Sequence, residues 1–222
     1  MSGTPTEQLL GPLNPVELRF APAALWTAGD TTLLLRHPRV AIVGTRHPTP
    51  DGIRRTQRLV KALVDHGAII VSGLAEGIDT AAHTRALELG GRTVAVIGTP
   101  LDEAFPKKNA ALQKRIAQEH LLVTEFAPGI PVARGNFPRR NRTMALVADA
   151  SVIVEAGAGS GTISQGWEAL RLGRPLFLLQ SLVAGGLAWT TEMQNHGARV
   201  LASTDDLLHA LPTDDIRDAV SF

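Results

Sequence analysis

The chain has 222 residues, 44% hydrophobic and 19% charged, with a formal net charge of +1. That is enough apolar material for a sizeable α/β core, and the charge is too balanced for the whole molecule to be drawn to a polyanion. The absence of cysteine excludes a disulfide framework, a thiolate metal site and a cysteine nucleophile, and neither a secretory signal nor a run of about 18 apolar residues stands out, so a cytoplasmic protein without membrane contact is expected.

Residues 1–37 carry several prolines and glycines with apolar anchors at Leu18, Phe20, Leu25 and Trp26. They are expected to be an irregular leader packing on a core domain that spans residues 38–222. From Arg39 onward the pattern is regular. Apolar runs at 40–43, 68–71, 93–97, 121–124, 151–154, 175–179 and 198–201 read as strands. Segments at 52–66, 78–89, 109–119, 163–172, 188–196 and 205–211 read as helices, with a short one at 141–147. The strand runs are continuous, not alternating, which marks strands covered on both faces. The expected fold is a doubly wound, mostly parallel sheet of extended Rossmann-like type with helices on both faces. Charge is unevenly spread: Asp205, Asp206, Asp214, Asp215 and Asp218 lie near the end, where Arg217 is the only Lys or Arg after Arg199. A local basic patch upstream is therefore compatible with the near-neutral sum.

In such a sheet, ligands bind beyond the carboxyl ends of the strands. The loops expected on that rim include Gly44-Thr-Arg46, Ser72 to Asp79, Glu125 to Arg142 and Glu155 to Thr162. The third holds Arg134, Gly135, Phe137, Arg139, Arg140 and Arg142 with no acidic residue among them. Guanidinium groups bind phosphate oxygens in pairs, and an exposed ring offers a face for a base, as a single-stranded nucleic acid or a nucleotide requires. A solvated loop with its arginines paired to acids elsewhere is the alternative. Gly157, Gly159, Ser160, Gly161 and Thr162 lead from a strand into a helix, where backbone amides, hydroxyls and the helix dipole form an anion loop. Asp79 puts negative charge where a phosphate would sit on the helix after Ser72, so that turn is expected to be structural, with Asp79 facing His83. Phe105 is the second stacking candidate. The seven histidines show no metal-ligand spacing, and no cofactor or metal is expected.

These segments resemble the DNA-processing protein A family, also called Smf. The matching stretches are Val40-Ala-Ile-Val-Gly-Thr-Arg46 with Pro48-Thr-Pro50, and Val71-Ser-Gly-Leu-Ala-Glu-Gly-Ile-Asp79 with Ala82-His83. Phe105-Pro106 with Asn109, Gly135-Asn-Phe-Pro-Arg-Arg-Asn-Arg142, and Val154-Glu-Ala156 with Ser160-Gly161 continue in family order. The resemblance implies a non-catalytic Rossmann-like core that binds single-stranded DNA, helps load the RecA recombinase in natural transformation and forms a homodimer. It places the family's DNA-contacting arginine on Arg46, its basic residue before the glycine on Arg134, and its stacking phenylalanine on Phe137. Departures are Ser160-Gly-Thr-Ile-Ser-Gln-Gly166 and Gln180-Ser181, where the family usually has Ser-Gly-Ser-Leu-x-Thr-Ala and Pro-Gly.

Two other readings compete. One is a sensor of a nucleotide-derived molecule held by the Gly157–Thr162 loop. The other is a phosphoribohydrolase, whose reacting glutamate would fall on Gln165, with Glu168 one turn further on as the substitute.

Overall fold

A computed structural model describes residues 2–212; Asp214, Asp215, Arg217 and Asp218 lie outside the described residues. In chain order the elements are β1 (Thr4–Pro5), α1 (Thr6–Leu10), α2 (Pro15–Phe20), β2 (Ala24–Gly29), β3 (Arg39–Val43), α3 (Pro50–Asp65) and β4 (Ile69–Ser72). They continue with α4 (Ile78–Glu88), β5 (Thr93–Val96), α5 (Ala110–Glu119), β6 (Leu121–Thr124), α6 (Asn136–Val147) and β7 (Ala150–Ile153). The last are α7 (Gly161–Arg171), β8 (Leu176–Leu179), α8 (Gln180–Val183), α9 (Ala188–Asn195), β9 (Arg199–Leu201) and α10 (Thr204–Leu208).

The strands form one sheet in the order β1-β2-β6-β5-β4-β3-β7-β8-β9. From β6 to β9 every pairing is parallel. Each apolar run fills both faces: Ala41, Val43, Ile69, Val71, Val94 and Val96 pack on the side of α6 and α7, while Val40, Ile42 and Ile70 pack towards α3 and α4. Strands buried on both faces need apolar residues at every position, which is why their sequences do not alternate.

Residues 1–37 depart from the irregular leader expected of them. β2 pairs antiparallel with β6, Trp26 opposite Thr124 and Gly29 opposite Leu121, and β1 adds to its outer edge. Leu9, Leu10, Leu25, Leu33 and Leu34 are buried in the same cluster as α6. Short strands without a repeating pattern carry little local signal, and the pairing that holds β2 lies about a hundred residues away along the chain.

The arginine segment departs as well. It was expected to be a loop followed by a helix from Asn141, but α6 already begins at Asn136 with Gly135 as its N-cap residue. Pro138 falls in the first turn, where amides have no intrahelical acceptor, so its missing N–H costs the helix nothing. Phe137, Arg139, Arg140 and Arg142 are therefore displayed from a helix and point in different directions.

The chain runs outward from β3 through β4 and β5 to β6, then returns across the sheet to β7 on the other side of β3. The loops after β3 and β7 consequently diverge and open a crevice at the switch point.

Candidate nucleic-acid interface

The crevice is a cleft of about 480 Å³. Arg46 and His47 after β3, the Gly157–Thr162 loop after β7, and Phe137, Arg140 and Asn141 of α6 line it, with Asp79 and Gln165. A smaller cleft of about 200 Å³ lies on the other side of Arg46 and Phe137, walled by Gly98, Phe105 and Pro106. Arg46, Phe137 and Arg140 thus stand between two depressions at the carboxyl ends of the central strands.

Backbone bonds fix the turn that carries Arg46. The Thr45 amide donates to the Glu155 carbonyl at 2.6 Å, and the Thr45 carbonyl accepts from the Ile78 amide at 3.2 Å. The Thr162 hydroxyl donates to the Gly44 carbonyl at 2.9 Å. Gly77 has φ +79°, and a Cβ there would come within 2.3 Å of the Thr45 carbonyl oxygen, so only glycine lets the two loops meet this closely. Thr49 caps α3 by accepting from the Gly52 amide at 3.0 Å. The Glu155 carboxylate accepts from the Thr49 amide and hydroxyl at 3.1 and 3.0 Å, which holds it at the start of α3.

The arginines divide by what they already touch. Arg46 and Arg134 are exposed, and neither guanidinium has an ion-pair or hydrogen-bond partner among the described residues. Arg134 flanks Phe137, whose amide donates to the Arg134 carbonyl at 3.4 Å. Phe137 is half-buried, its ring centroid 5.2 Å from that of Phe105 and inclined at 44°. Gly98 lies under it; a Cβ there would meet the ring at 2.9 Å. Arg139 is exposed, pairs with Glu125 at 3.2 Å and lies 5.0 Å from the Phe126 centroid. Arg142 donates to both oxygens of Glu168, at 3.0 and 3.4 Å, and lies over Phe20. Arg139 and Arg142 flank a third depression beside Arg19 and Phe20, away from the switch-point cleft.

Arg140 differs most from an arginine open to a phosphate. Only 7% of it is exposed. Its guanidinium donates to the carbonyls of Gly73 and Val96 and to Asn141 Oδ1. Burial pushes its pKa down, the Asp79 carboxylate pulls it back up, and Arg46 pushes it down again, which places a second guanidinium close by. Burial raises the Asp79 pKa, opposed by Arg140 and by the amides of Ala75 and Gly73, from which Asp79 accepts at 3.3 and 3.2 Å. Asp79 is therefore the internal counter-charge of Arg140 and the brace of the turn before α4.

His83, expected to face Asp79, instead bonds through Nδ1 to the Thr93 hydroxyl at 2.7 Å. Burial pushes its pKa from 6.5 down to about 3. A folded-state value below the unfolded one means that stability is complete above pH 6.5 and is lost as the pH falls and the unfolded chain takes up a proton the native ring refuses. Between pH 6.5 and 5 the expected loss is about 2 kcal/mol. Asp79, raised by burial, opposes this at the acidic end of the window. Urea unfolding at the two pH values checks it, with His83→Gln expected to remove most of the pH slope.

Among the described residues no group of His, Cys, Asp and Glu is placed to hold a metal ion, and no helix is long and apolar enough to cross a membrane. The structure therefore brings Arg46, Phe137, Arg140 and the Gly157–Thr162 loop to one cleft, leaves Arg134 and Gly135 exposed just before Phe137 and outside the cleft lining, and turns Arg139 and Arg142 away. The sequence reading did not single out His47, Asn141 or, as a cleft residue, Gln165. His47 follows Arg46 directly, a local signal; burial of Gln165 depends on the helix face and carries none.

A family model described as DNA recombination-mediator protein A matches residues 12–212. DNA processing protein DprA of Streptococcus pneumoniae is 37% identical over 89% of this chain and 70% of its own length. Protein Smf of Synechocystis is 41% identical over 78% of this chain and 44% of its own length, so the chain spans only part of these relatives. Among solved structures, DNA processing protein A of Helicobacter pylori, studied for its single-stranded DNA binding mode, aligns with a TM-score of 0.77 at 29% identity, covering 98% of this chain and 95% of its own.

Proposed function

Because the chain belongs to the DNA recombination-mediator protein A family, we propose that it binds single-stranded DNA along the rim of the sheet and serves DNA recombination without catalysing a reaction. Arg46 and Arg134 contact phosphates on either side of Phe137, whose ring stacks on a base. The observations that carry this reading are two exposed guanidiniums without carboxylate partners, one lining a cleft with the half-exposed Phe137 ring and the other three residues before that ring in sequence. Unpaired arginines bind backbone phosphates without a prior ion pair to break, and base–aromatic stacking is indifferent to sequence. Arg139, itself exposed and paired with the largely buried Glu125 carboxylate, extends the path for longer strands. Arg140 and Arg142 act behind the surface, tying α6 to the Gly73 and Val96 carbonyls and to Glu168.

The absence of catalysis is supported by the carboxylates. Gln165 takes the position a phosphoribohydrolase reserves for glutamate, and Glu168 is held by Arg142 and Arg171 and does not line the cleft. Recombinase loading through RecA, action as a homodimer and a role in natural transformation in the cytoplasm complete the proposal on family grounds.

Fluorescence anisotropy with oligodeoxynucleotides of increasing length, run beside a chromatographic assay for released base, tests it. Affinity should rise with length and no base should appear; length-independent binding or free base overturns the reading. Phe137→Ala should weaken binding by about 1–3 kcal/mol, roughly 5- to 150-fold, while leaving the salt dependence unchanged. Co-sedimentation with RecA and analytical ultracentrifugation address the partner and the dimer.

A further inference from the structure

The wall of the switch-point cleft opposite Phe137 is more than a turn. Within the Gly157–Gly161 loop the amides of Gly157, Ala158, Gly159 and Gly161 have no partner among the described residues, whereas the Ser160 amide closes the turn on Gly157 at 3.2 Å. The loop ends at the N-terminus of α7, a helix of 11 residues. Arg46 and Arg140 line the same cleft as the loop, and Asp79 is the one carboxylate lining it with them. Free amides, a helix N-terminus and an excess guanidinium together favour a phosphate group.

An independent feature lies one turn deeper. Gln165 is 1% exposed and lines the same cleft. Its Nε2 reaches the Ser151 hydroxyl at 3.5 Å, but its Oε1 has no partner. A buried acceptor without a donor costs stability unless a ligand supplies one. Four residues separate Gln165 from Gly161, about one helical turn of roughly 5.4 Å. A phosphate ion held on the loop is too small to span that distance; a sugar hydroxyl on the same molecule is not. The cleft volume of about 480 Å³ falls in the range of small-molecule sites, and Phe137 borders its open side.

We propose that this cleft is a site for a nucleoside 5′-phosphate, with the phosphate on the Gly157–Gly161 amides and Arg46 and a free sugar hydroxyl donating to Gln165 Oε1. Internal nucleotides of a DNA strand have that hydroxyl esterified. The occupant is therefore a free mononucleotide or the 3′-terminal nucleotide of a strand. The site shares Arg46 with the strand path but stands on residues that path does not use.

Calorimetric titration of the full chain with deoxyadenosine 5′-monophosphate, with inorganic phosphate in parallel, tests the site. Saturable nucleotide binding is expected, at least tenfold weaker in Ala158→Asp, which places a carboxylate beside the amides. Gln165→Leu should weaken the nucleotide several-fold and leave inorganic phosphate unaffected. Ala158→Asp lies on an exposed loop, so its effect is readable even if the core substitution perturbs folding. Two oligonucleotides, ending in a 3′-hydroxyl or a 3′-phosphate, separate the sources. Equal affinity, with displacement by the mononucleotide, identifies the free ligand; a 3′-hydroxyl preference that Gln165→Leu erases identifies the strand end. If neither nucleotide binding nor a 3′-hydroxyl preference depends on Ala158 and Gln165, the site is refuted, and strand binding that still falls in Arg46→Ala leaves the proposed function standing. Mononucleotide binding without any oligonucleotide binding would refute the proposed function alone.

Discussion

Replacing Arg46 and Arg134 together with alanine should lower the affinity for an oligothymidylate on the order of a hundredfold at about 50 mM salt. A hydrogen bond to a charged group contributes about 1.5–3 kcal/mol, so each arginine accounts for roughly tenfold or more, and sites without shared partners add. The salt dependence separates this from a folding defect. Each phosphate neutralised on a single strand contributes about 0.7 to the slope of log affinity against log salt, so the double variant should be flatter by about 1.4. Neither side chain holds a partner among the described residues, and the melting temperature should stay at the wild-type value. An unchanged slope would remove both residues from the strand path.

Arg140→Met should instead destabilise the fold, by about 1–3 kcal/mol for each buried acceptor it leaves without a donor, and it withdraws the positive charge that favours the buried Asp79 carboxylate. Those acceptors include the Gly73 and Val96 carbonyls. Adding Asp79→Asn should restore part of the loss, since removing both charges costs less than removing one. Urea denaturation of the two single variants and the double variant measures the coupling. Additive losses would mean that the two charges do not compensate each other.

Much of this architecture was legible beforehand. Runs such as Val40–Val43 and Leu121–Thr124 admit few structures other than doubly covered strands, and Gly90-Gly91 marks where a helix stops, whereas the start of α3 at Thr49-Pro50 lies two residues before the expected one. The convergence of Arg46, Phe137 and the Gly157–Thr162 loop followed from the rule that such sheets bind at their carboxyl rim. What escaped was decided by distant partners. Whether Arg140 faces water or the interior depends on Asp79 and on two carbonyls from β4 and β5 neighbourhoods, none near it in sequence. The antiparallel β2 depends on β6 in the same way. The helical start at Asn136 was hidden by Gly135 and Pro138, residues that break a helix in its middle but are tolerated at its first turn. His83 went to Thr93 and not to Asp79 because four-residue spacing brings side chains to one face without requiring them to touch.

The turn bearing Arg46 is stitched to its two neighbours: Thr45 to Glu155, Thr45 to Ile78, and Gly44 to Thr162. Three crossings of that kind make the rim a preassembled cradle whose ordering entropy is met when the chain folds and not when a guest arrives. The flexible member of the encounter is then the nucleic acid, and capture should proceed at the pace of collision, with no slow rearrangement of the host.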